Sequence, residues 1–210
     1  MILSGNKLSK SFNGTDVLND VSVSVSGAAT VCLLGTSGNG KTTLMNIMAG
    51  MLEPDHGYVT IDQKPVSDWN EYRSKVVGYL PCGNSLIESL TVKENLSFAV
   101  RGDKKKTDQI DNILTALGIL STAEKYPRQL SSGEYKRACF ARVLALDTPF
   151  LFLDEPTSNL DSESADAIFK IIRKLNGRKG ILIATHDSRF VTDDIMRPKQ
   201  IRIENGKLFS

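Results

Sequence analysis

The sequence predicts an α/β fold: a largely parallel sheet flanked by helices, with an antiparallel β part near the N-terminus and an all-helical insertion in the middle. Three observations predict it. Val21, Val23 and Val25 alternate strictly with Ser22, Ser24 and Ser26, the period of a half-exposed antiparallel strand. Continuously apolar runs at Val31 to Leu34, Val76 to Leu80, Phe150 to Leu153 and Ile181 to Ala184 read as strands buried on both faces. Between about 92 and 146 the period changes to that of a helix.

Taken in order, the alternating strand is followed by the apolar run ending at Leu34, which leads into a glycine-rich turn and then a helix. GYVTID at 57 to 62 alternates again. Ile110, Ile113, Leu114 and Leu117 recur at helical spacing, with Thr107 or Asp108 as the expected N-cap and Gly118 as the stop, while RGDKKKT at 101 to 107 is expected to be a solvated loop. The helical subdomain is placed at approximately 83 to 146, within one domain over 1 to 210. Ala165, Ile168, Phe169 and Ile172 mark a helix stopping at Gly177. Ile201, Ile203 and Leu208 flank Asn205-Gly206, whose preference for positive φ predicts a hairpin.

The 210 residues contain 40% hydrophobic and 24% charged side chains, ordinary values for a chain that fills a core. Their net charge of +2 gives no reason to expect nucleic acid as a partner. Cys32, Cys82 and Cys139 are three, widely spaced, without a Cys-x-x-Cys pair, so neither a disulfide framework nor structural zinc is expected and a reducing compartment is the simpler setting. The N-terminal MILSGNKLSKSF lacks the apolar stretch of a secretory signal, and no run approaches the roughly 18 residues of a membrane span.

The strongest chemical signal is Gly35-Thr36-Ser37-Gly38-Asn39-Gly40-Lys41-Thr42, which satisfies G-x-x-x-x-G-K-[ST] between a strand and a helix. Such a loop gathers backbone N–H groups on phosphate oxygens, with a helix dipole behind them. Lys41 is expected on the β- and γ-phosphates and Thr42 on Mg²⁺, with Thr43 completing the binding run. The second signal is FLFL ending in Asp154-Glu155. A buried strand delivers its last acids to the ligand edge of such a sheet, so Asp154 is expected to hold the metal and Glu155 to act as base on the attacking water.

Leu130-Ser131-Ser132-Gly133-Glu134, with Arg137-Ala138 after it and Asp154 twenty residues beyond Glu134, resembles the LSGGQ signature of ATP-binding cassette ATPases. Ser158-Asn159-Leu160-Asp161 resembles that family's D-loop, and Ala184-Thr185-His186-Asp187 its switch histidine. The resemblance implies a RecA-like core, ATP with Mg²⁺, and a head-to-tail dimer, homodimeric or with a second cassette. In that dimer Ser131 and Gly133 contact a γ-phosphate in trans and His186 contacts it in cis. It further implies adenine stacking on Phe12, an integral membrane permease partner, and a place on the cytoplasmic face of the cell membrane. Independently of the family, Ser131 is a good N-cap for a helix over about 132 to 146.

Two positions depart from the family pattern. Cys82 stands where a glutamine is expected, and a neutral thiol is a poor ligand for hard Mg²⁺. Glu134 stands for glutamine in the signature and adds negative charge where a phosphate is received. Tyr126-Pro127-Arg128-Gln129 resembles cassettes carried on separate chains, the short length leaves no room for the regulatory domain of many sugar importers, and Asn84-Ser85-Leu86-Ile87-Glu88-Ser89-Leu90-Thr91-Val92 looks most like the macrolide, lipoprotein and cell-division group. The reading is an ATPase subunit powering export or mechanotransmission. The alternatives are a soluble cassette ATPase, an importer subunit, and a P-loop kinase or GTPase switch.

Overall fold

A computed structural model describes residues 1–83 and 85–209. Asn84, which opens the run compared with the macrolide group, lies outside them. Strands β1 (Ile2–Phe12) and β2 (Thr15–Ser26) pair antiparallel. The strand β3 (Thr30–Leu34) enters the phosphate loop and α1 (Lys41–Met48) leaves it. Next come β4 (His56–Ile61), β5 (Lys64–Pro65), α2 (Trp69–Lys75) and β6 (Val77–Leu80). The helical stretch holds α3 (Val92–Ala99), α4 (Lys104–Thr107), α5 (Ile110–Ala116) and α6 (Ser132–Ala145), with short 3₁₀ turns at Leu120–Thr122 and Pro127–Gln129. The chain closes with β7 (Phe150–Asp154), α7 (Ser162–Leu175), β8 (Gly180–Ala184), α8 (Ser188–Thr192), β9 (Lys199–Glu204) and β10 (Lys207–Phe209).

Two sheets result. One is antiparallel, in the order β2-β1-β4-β5; the other runs β10-β9-β3-β8-β7-β6, parallel except for its edge strand β10. The period of two along β7 divides the hydrophobic core. Phe150 and Phe152 pack with Leu44, Met45 and the valines of β2, while Leu151 and Leu153 face Phe140, Ile168 and Phe190 on the helical side. The alternating valines of β2 are buried and its serines exposed, so the antiparallel sheet turns its apolar face to α1.

Expectation and structure differ at several elements. Residues 101 to 107 were expected to be loop, but Lys104–Thr107 form one turn of helix, because Asp103 accepts from the Lys106 N–H and caps it. This turn also displaces the cap of α5: Gln109 occupies that position without a side-chain bond, and neither Thr107 nor Asp108 does so. Val76 closes α2 and does not open β6. The helix α2 itself had a local signal, Asp68 bonding the Asn70 and Glu71 N–H groups. The hairpin at the C-terminal end forms as read, with Asn205 at φ 48° and Gly206 at φ 72°. Among the described residues no helix is long and apolar enough to cross a membrane.

Candidate functional site

The phosphate loop owes its shape to two glycines. Gly35 has φ 146°, and a Cβ there would stand 2.4 Å from the Ile203 carbonyl oxygen; Gly40 has φ 93°, and a Cβ there would stand 2.8 Å from that of Val17. The loop is therefore clamped between β9 and β2 at points where only hydrogen fits. Gly40 then starts α1, leaving the first N–H groups of that helix unclaimed by any side-chain cap. Lys41 is buried, and its Nζ donates to the carbonyls of Gly35 at 2.6 Å and Thr36 at 3.1 Å. An ammonium has three protons, so a third remains for an incoming oxygen. Asn39 braces the loop by donating to the Thr36 hydroxyl. Thr43 lies half-buried in the same turn as Thr42.

Thr42 Oγ1 donates to Asp154 Oδ2 at 2.7 Å, which joins the start of α1 to the end of β7. Asp154 is 1% exposed, and desolvation pushes its carboxyl above the usual range, against the Thr42 bond and the charges of Lys136 and Lys41. A raised folded pKa in an acid means that the ionised form is penalised in the fold. That penalty is absent below the unfolded value and fully present above the folded one. Asp154→Asn is therefore expected to raise the melting temperature of the nucleotide-free chain at neutral pH, the gain shrinking on acidification towards pH 4, as calorimetry across pH would read. A lower melting temperature at neutral pH would contradict this reading.

Glu155 leaves the sheet in a left-handed conformation, φ 48°, held by its N–H bond to Ala184 O at 2.8 Å. A non-glycine residue there stores about 1–3 kcal/mol of strain. Its Oε2 accepts from the backbone N–H of His186, and its Oε1 lies 3.4 Å from His186 Nε2. The central place of β8 between β3 and β7 is what hangs His186 between the phosphate loop and Glu155. Its neighbour Asp187 is fixed by Thr157 and Arg189, and Arg189 also pairs with Asp166.

Phe12 is 45% exposed at the end of β1 and belongs to neither core cluster, so it is not a packing residue of the N-terminal sheet. Its hairpin runs past the loop, because Leu18, which pairs with Lys10, lies against Gly40. Ser131 and Gly133 are held elsewhere. Ser131 caps α6 in a reciprocal box: its hydroxyl accepts from the Glu134 N–H and its own N–H donates to the Glu134 carboxylate at 2.8 Å. That bond is the main reason the Glu134 carboxyl sits below the usual range, and Lys125 lies 3.6 Å away. The extra charge in the signature is thus engaged by the signature's own backbone. Gly133 fits against Ser164 and Asp161, which bond each other, and Arg137 donates to Ser164.

Tyr79 had no role in the sequence reasoning, and Arg137, quoted there only with the signature, is seen to hold Ser164. A tyrosine in an otherwise apolar strand was the available signal for Tyr79; its hydroxyl is buried with no hydrogen-bond partner among the described residues. Cys82 is exposed and lines a cleft of about 420 Å³ with Ser132, Tyr135, Lys136 and Leu160. Neither Thr42 nor Asp154 lines that cleft.

A glycine loop clamped open between strands, with its threonine bonded to the acid that ends a nearby buried strand, marks the P-loop nucleotide-binding proteins, the class that this fold and site define. The particular family follows from comparison with known proteins. A family model described as ABC transporter matches residues 18–158, two-thirds of the chain. The chain belongs to the ABC transporter family, as its ATP-binding cassette, an ABC-type ATPase domain. It is 34% identical over 186 residues to the "ABC transporter ATP-binding protein YtrE" of Bacillus subtilis (strain 168), covering 83% of this chain and 80% of that one. Among solved structures, it matches the dimeric MJ0796, a bacterial ABC transporter cassette, with a TM-score of 0.88 at 25% identity over 99% of this chain and 97% of the other. A dimeric post-hydrolysis state of MJ0796 bound to ADP and Pi matches with a TM-score of 0.86 at 26% identity and the same coverage.

Proposed function

We propose that this cassette powers a transporter of the export or mechanotransmission type, closing on two ATP molecules as a head-to-tail pair and passing that motion to separate membrane subunits. The observation that supports the nucleotide-site part of this reading is the Thr42–Asp154 bond, with Glu155 following Asp154 and His186 Nε2 3.4 Å from the Glu155 carboxylate. The loop's N–H groups and Lys41 receive the phosphates, and Phe12 offers its exposed ring to the adenine. Thr42 and Asp154 fit Mg²⁺: both present hard oxygen donors, and an ion that keeps several waters and takes substrate phosphate oxygens needs few side chains. When bound, the ion neutralises charge that develops on the phosphates.

Glu155 accepts a proton from the attacking water, with its carboxylate oriented by the His186 N–H. Ser131 and Gly133 of one copy close on the nucleotide of the other. The dimeric state of MJ0796 and the similarity to the Bacillus subtilis protein support pairing and a transport role. The cassette works on the inner face of the cell membrane, held there by an integral permease subunit. Light scattering of the chain with a slowly hydrolysed ATP analogue and Mg²⁺ tests the core of the proposal. The expected result is a doubling of mass, and a nucleotide-bound species that stays monomeric would remove it.

Cys82→Gln restores an oxygen donor at the family's usual position. Turnover in the presence of the membrane partner is expected to rise by about tenfold, the scale on which groups supporting a metal site act. A Cys82→Gln rate equal to the parent's, both with and without the partner, would show that position 82 carries no part of the coupling.

A further inference from the structure

The strand β6 pairs in parallel with β7, and Tyr79 stands opposite Phe152. Residues two apart on a strand share a face, so Asp154 lies on the same side of the sheet as Tyr79, one strand over and one step further along. From strand spacing and rise, the two Cα atoms are roughly 8 Å apart. Tyr79 is 8% exposed, and its hydroxyl has no partner among the described residues. Buried hydroxyls of native proteins are bonded as a rule, and one left over calls for a water or a ligand. A water bridging a phenol and a carboxylate that do not touch is enthalpically nearly as good as a direct bond. Cys82, at the position that would otherwise supply a polar amide, faces the cleft beside the signature turn.

We propose that Tyr79 is a positioning residue whose hydroxyl donates to a water shared with Asp154, taking over at the hydrolytic centre the orienting role that the side chain at position 82 does not supply. This rests on the reading of Thr42 and Asp154 as the nucleotide–metal site. The phenol is also a permanent donor: burial first, then the negative charge of Asp154, push its ionisation above the ordinary tyrosine range. Phenylalanine at 79 would keep the ring in its packing and remove only the donor.

The test compares the full-length parent, Tyr79→Phe, Cys82→Gln and the double variant. Without nucleotide, Tyr79→Phe is expected to melt close to the parent, because the ring keeps its packing and only a bond to water is removed. The Mg²⁺ concentration at half-maximal ATP-induced melting shift is expected to rise by about tenfold in Tyr79→Phe, with kcat lower by about the same factor and KM little changed. In the Cys82→Gln background both effects are expected to fall below about twofold, since the amide already holds the water. An equal loss in both backgrounds, or an unmoved Mg²⁺ midpoint, overturns the proposal. A parent without any Mg²⁺- and ATP-dependent shift overturns the underlying site reading as well; a normal parent matched by Tyr79→Phe overturns the proposal alone.

Discussion

Glu155→Gln is expected to lower ATP turnover by about 10² to 10⁴-fold, the range that a positioned general base contributes, while leaving nucleotide binding intact. The structure explains the separation. The amide keeps the oxygen that accepts the His186 N–H, and it replaces the carboxylate without a change of size. The left-handed turn that aims the side chain is fixed by the bond to Ala184 O, which the substitution does not touch. What is lost is the capacity to take up a proton. ATP-bound pairs should accumulate and dissociate slowly, so steady-state phosphate release and size-exclusion in millimolar ATP read the two halves of the result. Hydrolysis at the parent rate would assign the base elsewhere.

Phe152→Ala carries the largest expected cost in stability. The side chain is fully buried between the parallel sheet and α1, in the cluster with Leu44, Met45 and Leu182. Truncating a phenylalanine in such a place costs about 3–5 kcal/mol, a large part of the roughly 5–15 kcal/mol that holds a domain together. Because Phe152 precedes Asp154 by two residues on the same face, the cavity also loosens the strand end that bonds Thr42. Urea unfolding should show the midpoint falling with an unchanged slope. A loss below about 1 kcal/mol would mean that the helix closes over the gap, which close-packed interiors resist.

Much of this was legible because the chemistry is local in sequence. GTSGNGKT, FLFLDE, LSSGE and the Asn205-Gly206 turn each compress a strand end, a helix start or a turn into a few residues, and the structure places each in the expected element. Elements set by weaker local signals were harder. The long strand β1 has no clean alternation, because β-bulges between Gly5 and Ser11 shift its faces. The helices α2, α4 and α8 are each seven residues or fewer and are fixed by single aspartate caps, which periodicity does not register. Contacts across the fold lay beyond reach altogether: the Ile203 carbonyl closing on Gly35, the seating of Gly133 against Asp161 and Ser164, and the unpartnered Tyr79 hydroxyl depend on which strands become neighbours.

The parallel pairing of β6 and β7 has a mechanical consequence. The chain departs the sheet at the top of β6 and must regain it at the bottom of β7, so the intervening helices are tethered at opposite ends of the sheet. The fourteen residues of α6 make the return journey, about 21 Å at 1.5 Å per residue. That rod has its foot beside Pro149 and its tip at Ser131, so a tilt of a few degrees at the foot sweeps the tip through an ångström or more. The short segment Pro81 to Gly83 leaves the sheet at the opposite end, at the top of β6.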